Sequence, residues 1–334
     1  MVKRWQFWLG LLVSAAFLYM ALSGLSLAEV WFHIRSARYI WLLPGVAIYF
    51  FGVGARTWRW HYMLRPIRSI PLLRLFPVVC IGYMGNNIYP ARIGELLRAY
   101  VLRETEEVSI SASLATILVE RIFDGVVMLL FVFVGLPLAP AIPGDWRRFV
   151  IVFSLLFFGA LGFFFFVAAS PRRARAAYSF VIDRVVPQRF REPVRGFADR
   201  FMEGLGFLRS PRDVLMIFVT SLVVWLAETG KYWFVMHAFD FEVSFFVLML
   251  MNGVVNLFTT IPSAPGYIGT FDEPGIEVLK AFGVEGSMAA GYTLVLHAAL
   301  WLPITVLGFY YMWRMSLSWR DLARASKVKQ EPAV

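Results

Sequence analysis

The stretch Gly85-Asn86-Asn87-Ile88-Tyr89-Pro90-Ala91-Arg92-Ile93-Gly94-Glu95-Leu96-Leu97-Arg98 interrupts a chain otherwise built for lipid. A charge at the bilayer centre costs roughly 3 kcal/mol on insertion scales, so membrane chains keep one mainly where it faces a cavity, a partner or a substrate. Unwound backbone at that depth is tolerated only where protein or a wet cavity shields it. This segment is therefore the first candidate for function.

Composition sets the class. Of 334 residues, 59% are hydrophobic, 17% aromatic and 16% charged, with a mean hydropathy of +0.67. A soluble globular chain carries about 25% charged residues. The chain reads as an integral membrane protein. Its net charge of +10 sits between hydrophobic spans, which indicates a membrane surface rather than nucleic acid. The single cysteine, Cys80, excludes an intrachain disulfide framework and any multi-cysteine metal site. His33, His61, His237 and His297 have no paired metal-ligand spacing, so neither metal nor cofactor is expected.

About 20 apolar residues cross a hydrocarbon core. Six stretches qualify: 5–25, 39–58, 112–137, 148–169, 214–237 and 288–313. The apolar run of the first is longer than a signal-peptide core, so an uncleaved anchor is expected. Basic residues then set the sidedness. Lys3 and Arg4 precede the first span, and Arg56, Arg59, Arg65, Arg68 and Arg74 follow the second. Residues 170–212 hold ten arginines and no lysine, and the tail carries Arg314, Arg320, Arg324, Lys327 and Lys329. These segments, and with them both termini, are expected in the cytoplasm of a cell bounded by an inner or plasma membrane. Residues 1–315 read as a single transmembrane domain and 316–334 as a basic tail. Within 170–212, residues 194–208 form an apolar face opposite Arg195 and Arg200, read as an interfacial amphipathic helix or as a solvated basic loop.

Two further hydrophobic stretches are broken. Residues 71–102 are interrupted at 85–90, and 243–282 at 262–269. With the flanking spans oriented as above, the first stretch enters from and returns to the cytoplasm, and the second does so from the other side. The expected fold is thus all-α and polytopic, with about six full spans plus two inverted re-entrant hairpins. Broken helices meeting near the midplane are a recurrent transporter architecture. Ordinary full spans kinked at proline are the alternative.

In the first hairpin, Pro90 suits the first turn of a helix running to about Arg103. Arg92, Glu95 and Arg98 are three residues apart and share one side, and Gly94 lies among them. A helix N-terminus plus a guanidinium is a reasonable phosphate site, with an interfacial Arg92–Glu95 salt bridge as the structural reading. Glu120, Arg121 and Asp124 lie too deep in the third span to snorkel easily and are expected to face this hairpin and pair with Arg92 or Arg98, as substrate site or as helix clamp. The second break contains Pro262, Pro265, Gly266 and Gly269, after which Asp272 or Glu273 opens a short helix with Pro274 in its first turn. It mirrors the first break, with an acid where that one has arginine. Glu228 and Lys231 are expected to pair, His297 to be a hydrogen-bonded core residue, and Asn252 and Asn256 to line one cavity or bond across helices.

Three motifs, in order, resemble the lysylphosphatidylglycerol synthase transmembrane-region family. They are Asn87-x-x-Pro90-x-Arg92-x-Gly94-Glu95-x-x-Arg98, Glu120-Arg121-x-x-Asp124, and Pro262-x-x-Pro265-Gly266-x-x-Gly269-x-Phe271-acid. The likeness runs from about residue 5 to 315. Tyr267 stands where the family often has a second glycine, and Asp272 where it usually has the longer Glu. The family's aminoacyl-transferase domain is absent from this sequence, so lysyl transfer is not expected. The resemblance implies the translocation half: moving a lipid headgroup between leaflets, with a phospholipid or lipid-linked molecule as substrate and Asn87, Arg92, Glu95, Arg98, Glu120, Arg121, Asp124, Asp272 and Glu273 as its site. The rivals are a membrane-embedded enzyme acting on a lipid-linked substrate and a non-transporting scaffold for envelope-lipid synthesis.

Overall fold

The computed structural model describes residues 4–89, 93–135, 171–205, 208, 210–261 and 263–317, together with 155, 159 and 162. Among the described residues all regular structure is helical. The helices are α1 (Arg4–Leu22), α2 (Leu27–Ser36), α3 (Leu42–Leu64), α4 (Leu72–Ile88), α5 (Ile93–Glu106), α6 (Ile110–Gly135), α7 (Pro171–Val185), α8 (Gln188–Gly204), α9 (Pro211–Met236), α10 (Phe245–Phe258), α11 (Asp272–Ala281) and α12 (Gly286–Arg314). Short 3-10 turns precede α3 (Tyr39–Trp41) and α11 (Pro265–Tyr267).

Among the described residues three helical stretches are long and apolar enough to cross a membrane: Tyr39–Leu64, Pro211–Met236 and Gly286–Arg314. These correspond to the second, fifth and sixth expected spans. α6 is 26 residues long and no less apolar on average, but it carries three charged residues, Glu120, Arg121 and Asp124, in its interior. The first expected span is modified: α1 ends at Leu22 and the chain turns by 85° into α2, with Ser26 capping α2 by accepting from the Glu29 N–H. The fourth span, 148–169, lies largely outside the described residues. The amphipathic segment is a helical pair rather than one helix over 194–208, since α8 starts at Gln188 and runs through Pro193.

The positive-inside reading also needs correction. α3 continues past residue 58 to Leu64, so Arg56 and Arg59 lie inside the helix bundle and are buried. Only Arg65, Arg68 and Arg74 of that group lie beyond the helix, where Arg68 and Arg74 pair with Glu107 and Glu106.

Both broken stretches form helix–break–helix units. In the first, α4 and α5 meet backbone to backbone. A Cβ on Gly94 would overlap the Gly82 carbonyl oxygen and lie 2.5 Å from the Asn86 nitrogen, and one on Gly85 would lie 2.8 Å from the Gly94 Cα. In the second, Ser244 caps α10 by accepting from the Val247 N–H, and α11 opens at Asp272 with Pro274 in its first turn, as expected. At 1.5 Å per residue α5 and α11 are about 21 and 15 Å long, short of a ~30 Å hydrocarbon core. α12 joins the two units. A Cβ on Gly308 would lie 2.8 Å from the Cys80 carbonyl of α4, and α11 packs on the N-terminal half of the same helix. α3 and α9 pack closely opposite, where Gly52 faces Ala227 and Gly230 faces Ile48, the small-residue packing that membrane helices use to approach.

Candidate functional site

The charged residues of the interior form one network across four helices. Arg59 of α3 donates to Asp124 of α6 at 2.6 Å and to the Ser221 hydroxyl at 2.6 Å, and its other nitrogen lies 3.5 Å from Glu120. Arg98 of α5 donates to Glu120 at 2.6 Å and lies over the Trp60 ring at 3.6 Å. Arg121 lies 3.3 Å from Glu95 and 3.5 Å from Asp124, which also accepts from Trp225 Nε1 at 2.9 Å. On α9, Glu228 accepts from Lys231 at 2.7 Å and from Arg56 at 3.1 Å, while Arg56 also donates to the Tyr83 hydroxyl at 2.8 Å and stacks over Trp225. Ions this deep are retained only when paired, because an unpaired one keeps the whole desolvation cost.

The pairing is uneven. Arg56, Arg59, Arg98, Arg121 and Lys231 face Glu95, Glu120, Asp124 and Glu228, so among the described residues the network has one cation in excess. Arg121 and Glu95 are its most accessible members, at 28% and 24% side-chain exposure. Arg121 and Arg56 border a cavity of about 130 Å³ that is also lined by Asn87, Asn256, His297 and Trp301.

The two breaks meet at this cavity on one face of α12. Asn87 donates to the Thr305 hydroxyl at 2.8 Å and to the Trp301 carbonyl at 3.3 Å, and Trp301 Nε1 donates to the Asn87 carbonyl at 3.3 Å. One turn earlier, His297 lies 2.7 Å from the Gly266 carbonyl and 2.7 Å from Asp272. Residues 297, 301 and 305 are four apart and share a face. Gly266 takes φ +75° in the second break, and a Cβ there would lie 2.8 Å from Trp301 Nε1. Gly269, at φ +83°, places its backbone against Ser14 of α1. Tyr267 also has positive φ (+61°), the conformation that a glycine at this position adopts without strain.

Several expected contacts are present. Glu120 pairs with Arg98, Glu228 pairs with Lys231, and His297 is hydrogen-bonded through both ring nitrogens. Asn252 bonds across to Thr229 of α9 at 3.0 Å while Asn256 borders the cavity. The Glu95–Arg98 rung of the ladder expected along α5 gives way to cross-helix pairs, since Glu95 turns to Arg121 and Arg98 to Glu120, and its Arg92 rung lies outside the described residues. Glu273 stays apart from the network, with Glu277 and Lys280 of its own helix as charged neighbours. Arg92, Pro90 and Pro262 lie outside the described residues. Among the described residues no three His, Cys, Asp or Glu side chains form a metal-holding group.

The residues missed in the sequence are Arg56 and Arg59, taken there for loop cations. Their three-residue spacing between Gly52 and Trp60 was the available signal, because it places both on one face of a helix that has not yet ended.

The fold and the buried network define a multi-pass helical membrane protein with an internal polar cavity. The chain belongs to the lysylphosphatidylglycerol synthase transmembrane-region family, whose model matches residues 7–308. It is 23% identical over 292 residues to a UPF0104 membrane protein of Methanothermobacter thermautotrophicus, covering 82% of this chain and 85% of that one. A UPF0104 membrane protein of Methanocaldococcus jannaschii is 22% identical over 76% of this chain and 78% of its own. The glycosyltransferase AglD of Haloferax volcanii is 25% identical over 73% of this chain but only 45% of its own length.

Proposed function

We propose that the protein moves an anionic lipid headgroup between membrane leaflets, with the cavity between the two breaks as its binding site. The observation that carries this reading is the cation excess of a buried network whose Arg56 and Arg121 border the cavity. A guanidinium at a cavity wall offers a planar donor fork to a phosphate, and its partial desolvation strengthens the attraction. Glu95, Glu228 and Asp124 hold the two guanidiniums in place. Asn87 and Asn256 add polar contacts, and the acyl chains stay in lipid while the headgroup passes. α4–α5 and α10–α11 are read as two re-entrant hairpins of opposite orientation, because their second arms are too short to span. The basic ends of the helices, α7, α8 and both termini face the cytoplasm of a cell whose inner or plasma membrane holds the protein, with α7 and α8 lying on anionic headgroups.

The similarity to a protein named a glycosyltransferase, confined to under half of that protein's length, supports a lipid-linked saccharide phosphate as a second candidate cargo. No nucleophile with an oriented base is found among the described cavity residues, so transport is favoured over lipid chemistry. The test is translocation in liposomes holding fluorescent phosphatidylglycerol or phosphatidylcholine, quenched from outside. Arg121→Gln is expected to slow phosphatidylglycerol at least tenfold relative to phosphatidylcholine in protein that still folds, with an unfolding midpoint lowered by the loss of its pairs with Glu95 and Asp124. Equal rates for the two lipids, unchanged by the substitution, would overturn the anion site.

A further inference from the structure

Asp272 opens α11 and His297 lies on α12, and their hydrogen bonds fix how many protons the pair holds. A backbone carbonyl only accepts, so the contact of His297 Nε2 with the Gly266 oxygen at 2.7 Å places a proton on Nε2. The Asp272 Oδ2 accepts from the Gly269 N–H at 2.8 Å, so that oxygen carries none. The remaining contact, His297 Nδ1 to Asp272 Oδ1 at 2.7 Å, needs one proton between its two atoms. Whether the proton rests on nitrogen or oxygen, the pair as a whole is neutral. Removing it leaves one negative charge and sets two lone pairs against each other in a place where Asp272 is buried. The Phe271 ring lies 4.4 Å from the imidazole, and the other side of His297 borders the cavity.

We propose that the Asp272–His297 pair is a proton-binding site whose occupancy is linked to an anionic headgroup in the cavity. This rests on the reading above that the cavity takes an anion. With the proton bound, the second break is fastened to α12 and the cavity keeps its cation excess. When the proton leaves through the cavity to water, the excess is cancelled by the new negative charge and the Asp272 half of the fastening to α12 is lost, while the Nε2–H of His297 still holds the Gly266 carbonyl. Asn87 of the first hairpin is held one and two turns further along the same helix, so the seam that opens is the one between the two hairpins. Headgroup and proton therefore bind together and leave together, which links transport to a proton gradient.

Other ionisable groups face the pair. From α9 these are Lys231, Glu228 and Tyr232, and from α3 Arg56 and Tyr49. Arg121 of α6 and Tyr83 of α4 stand across the cavity, while Tyr267, Glu273 and Tyr292 lie on the elements of the pair itself. Arginine and tyrosine keep one state through the neutral range. Lys231, paired with Glu228 at 2.7 Å, and Glu273 are the competing titrating groups; Glu273→Gln addresses the second, and Lys231→Arg, a cation at every pH and measured alongside, the first, its loss of pH dependence counting against the pair.

Two substitutions act on the pair in opposite directions. Asp272→Asn removes the carboxylate, so that no negative charge can form there, and His297→Gln removes the imidazole, so that the carboxylate has no partner to share its proton. Phosphatidylglycerol movement in liposomes is measured between about pH 5.5 and 9 for wild type, both variants and Glu273→Gln. Above its midpoint the wild-type rate is expected to fall about tenfold per pH unit, the slope of one proton. Asp272→Asn should be fast and flat, His297→Gln slow and flat, and Glu273→Gln should follow wild type. Wild-type pH dependence retained in both pair variants, or lost in Glu273→Gln alone, overturns the proposal. If no lipid moves at any pH, the transport reading fails, and nitrogen NMR of the histidines in the intact protein decides the proton site by itself. A His297 Nδ1 that shares a proton where the other histidines are neutral supports the site. A bare, unprotonated Nδ1 with Asp272 ionised overturns it.

Discussion

The two helical hairpins have similar outlines and opposite chemistry. In the first, α4 and α5 touch through glycine backbones, and the charges after the break, Glu95 and Arg98, are locked to α6 by Arg121 and Glu120. Two of those four, Glu120 and Arg121, pair on two sides, and the guanidiniums keep their charge near neutral pH. In the second, α10 and α11 meet through side chains, and the acid after the break pairs with a histidine of α12. One hairpin carries fixed charge and the other carries a charge that a proton can remove. In the transport reading proposed above, the first would be the wall that attracts the cargo and the second the contact that changes state.

The sharpest way to break this comparison is to add one carbon to each seam. A methyl on Gly94 meets the Gly82 carbonyl and the Asn86 nitrogen, both backbone, so α4 and α5 must separate. Gly94→Ala is expected to destabilise by at least about 3 kcal/mol. A methyl on Gly275 meets Met251 Cε at 2.8 Å, the free end of a flexible side chain. Helix propensity offsets much of that crowding, so Gly275→Ala should stay within about 1 kcal/mol of wild type. Unfolding midpoints in detergent measure both, and equal losses would show that the seams are alike.

The charges can be compared in the same way. Arg59→Met leaves Asp124 and Glu120 buried with one cation fewer, and breaking such a pair costs about 3–5 kcal/mol. Adding Asp124→Leu should recover part of the loss, though Trp225 and Arg121 then lose an acceptor. Asp272→Asn keeps an oxygen for the Gly269 N–H, so its stability cost should be about 1 kcal/mol. If the first hairpin tolerated charge removal as well as the second, the division between fixed and switchable charge would fail.

Much of the hairpin pattern was legible because proline, glycine and asparagine within an apolar run have few structural meanings. The partner of Glu120 followed from depth: an acid eight residues into a span needs a cation, and Arg98 stands on the neighbouring helix. Arg56 and Arg59 were not legible in the same way. Each sits where an apolar window ends, and the packing of α3 against α6 and α9 is what holds both inside the bundle. The cross-helix pairing of Glu95 and Arg98, in place of a contact between them along α5, has the same origin, since spacing along one helix says nothing of a better-placed partner on another. The role of His297 was half legible. Its burial was expected, while its grip on both Gly266 and Asp272 depends on a left-handed backbone at the break.

The smallest expected effect lies away from both hairpins, where α7 meets α8. Asp199 accepts from the Tyr178 hydroxyl and pairs with Arg175 at 2.7 Å. The Tyr178 hydroxyl first, and then Arg175, hold its carboxyl below the ordinary value of 3.8. A depressed folded-state value means that the contribution is complete above the unfolded value and is lost as pH falls through the folded one. A spin-label distance between α7 and α8 should therefore stay constant across the neutral range and lengthen only below about pH 4. Asp199→Asn should remove that dependence, and salt should weaken it, because the pair is exposed. The contrast with the second hairpin is then one of range. An exposed carboxylate answers only to strong acid, whereas the buried pair between α11 and α12 is proposed to answer within the range of the transport measurement, about pH 5.5 to 9. A distance that changed near neutral pH in the Asp199→Asn variant would assign the response to some other group on this face.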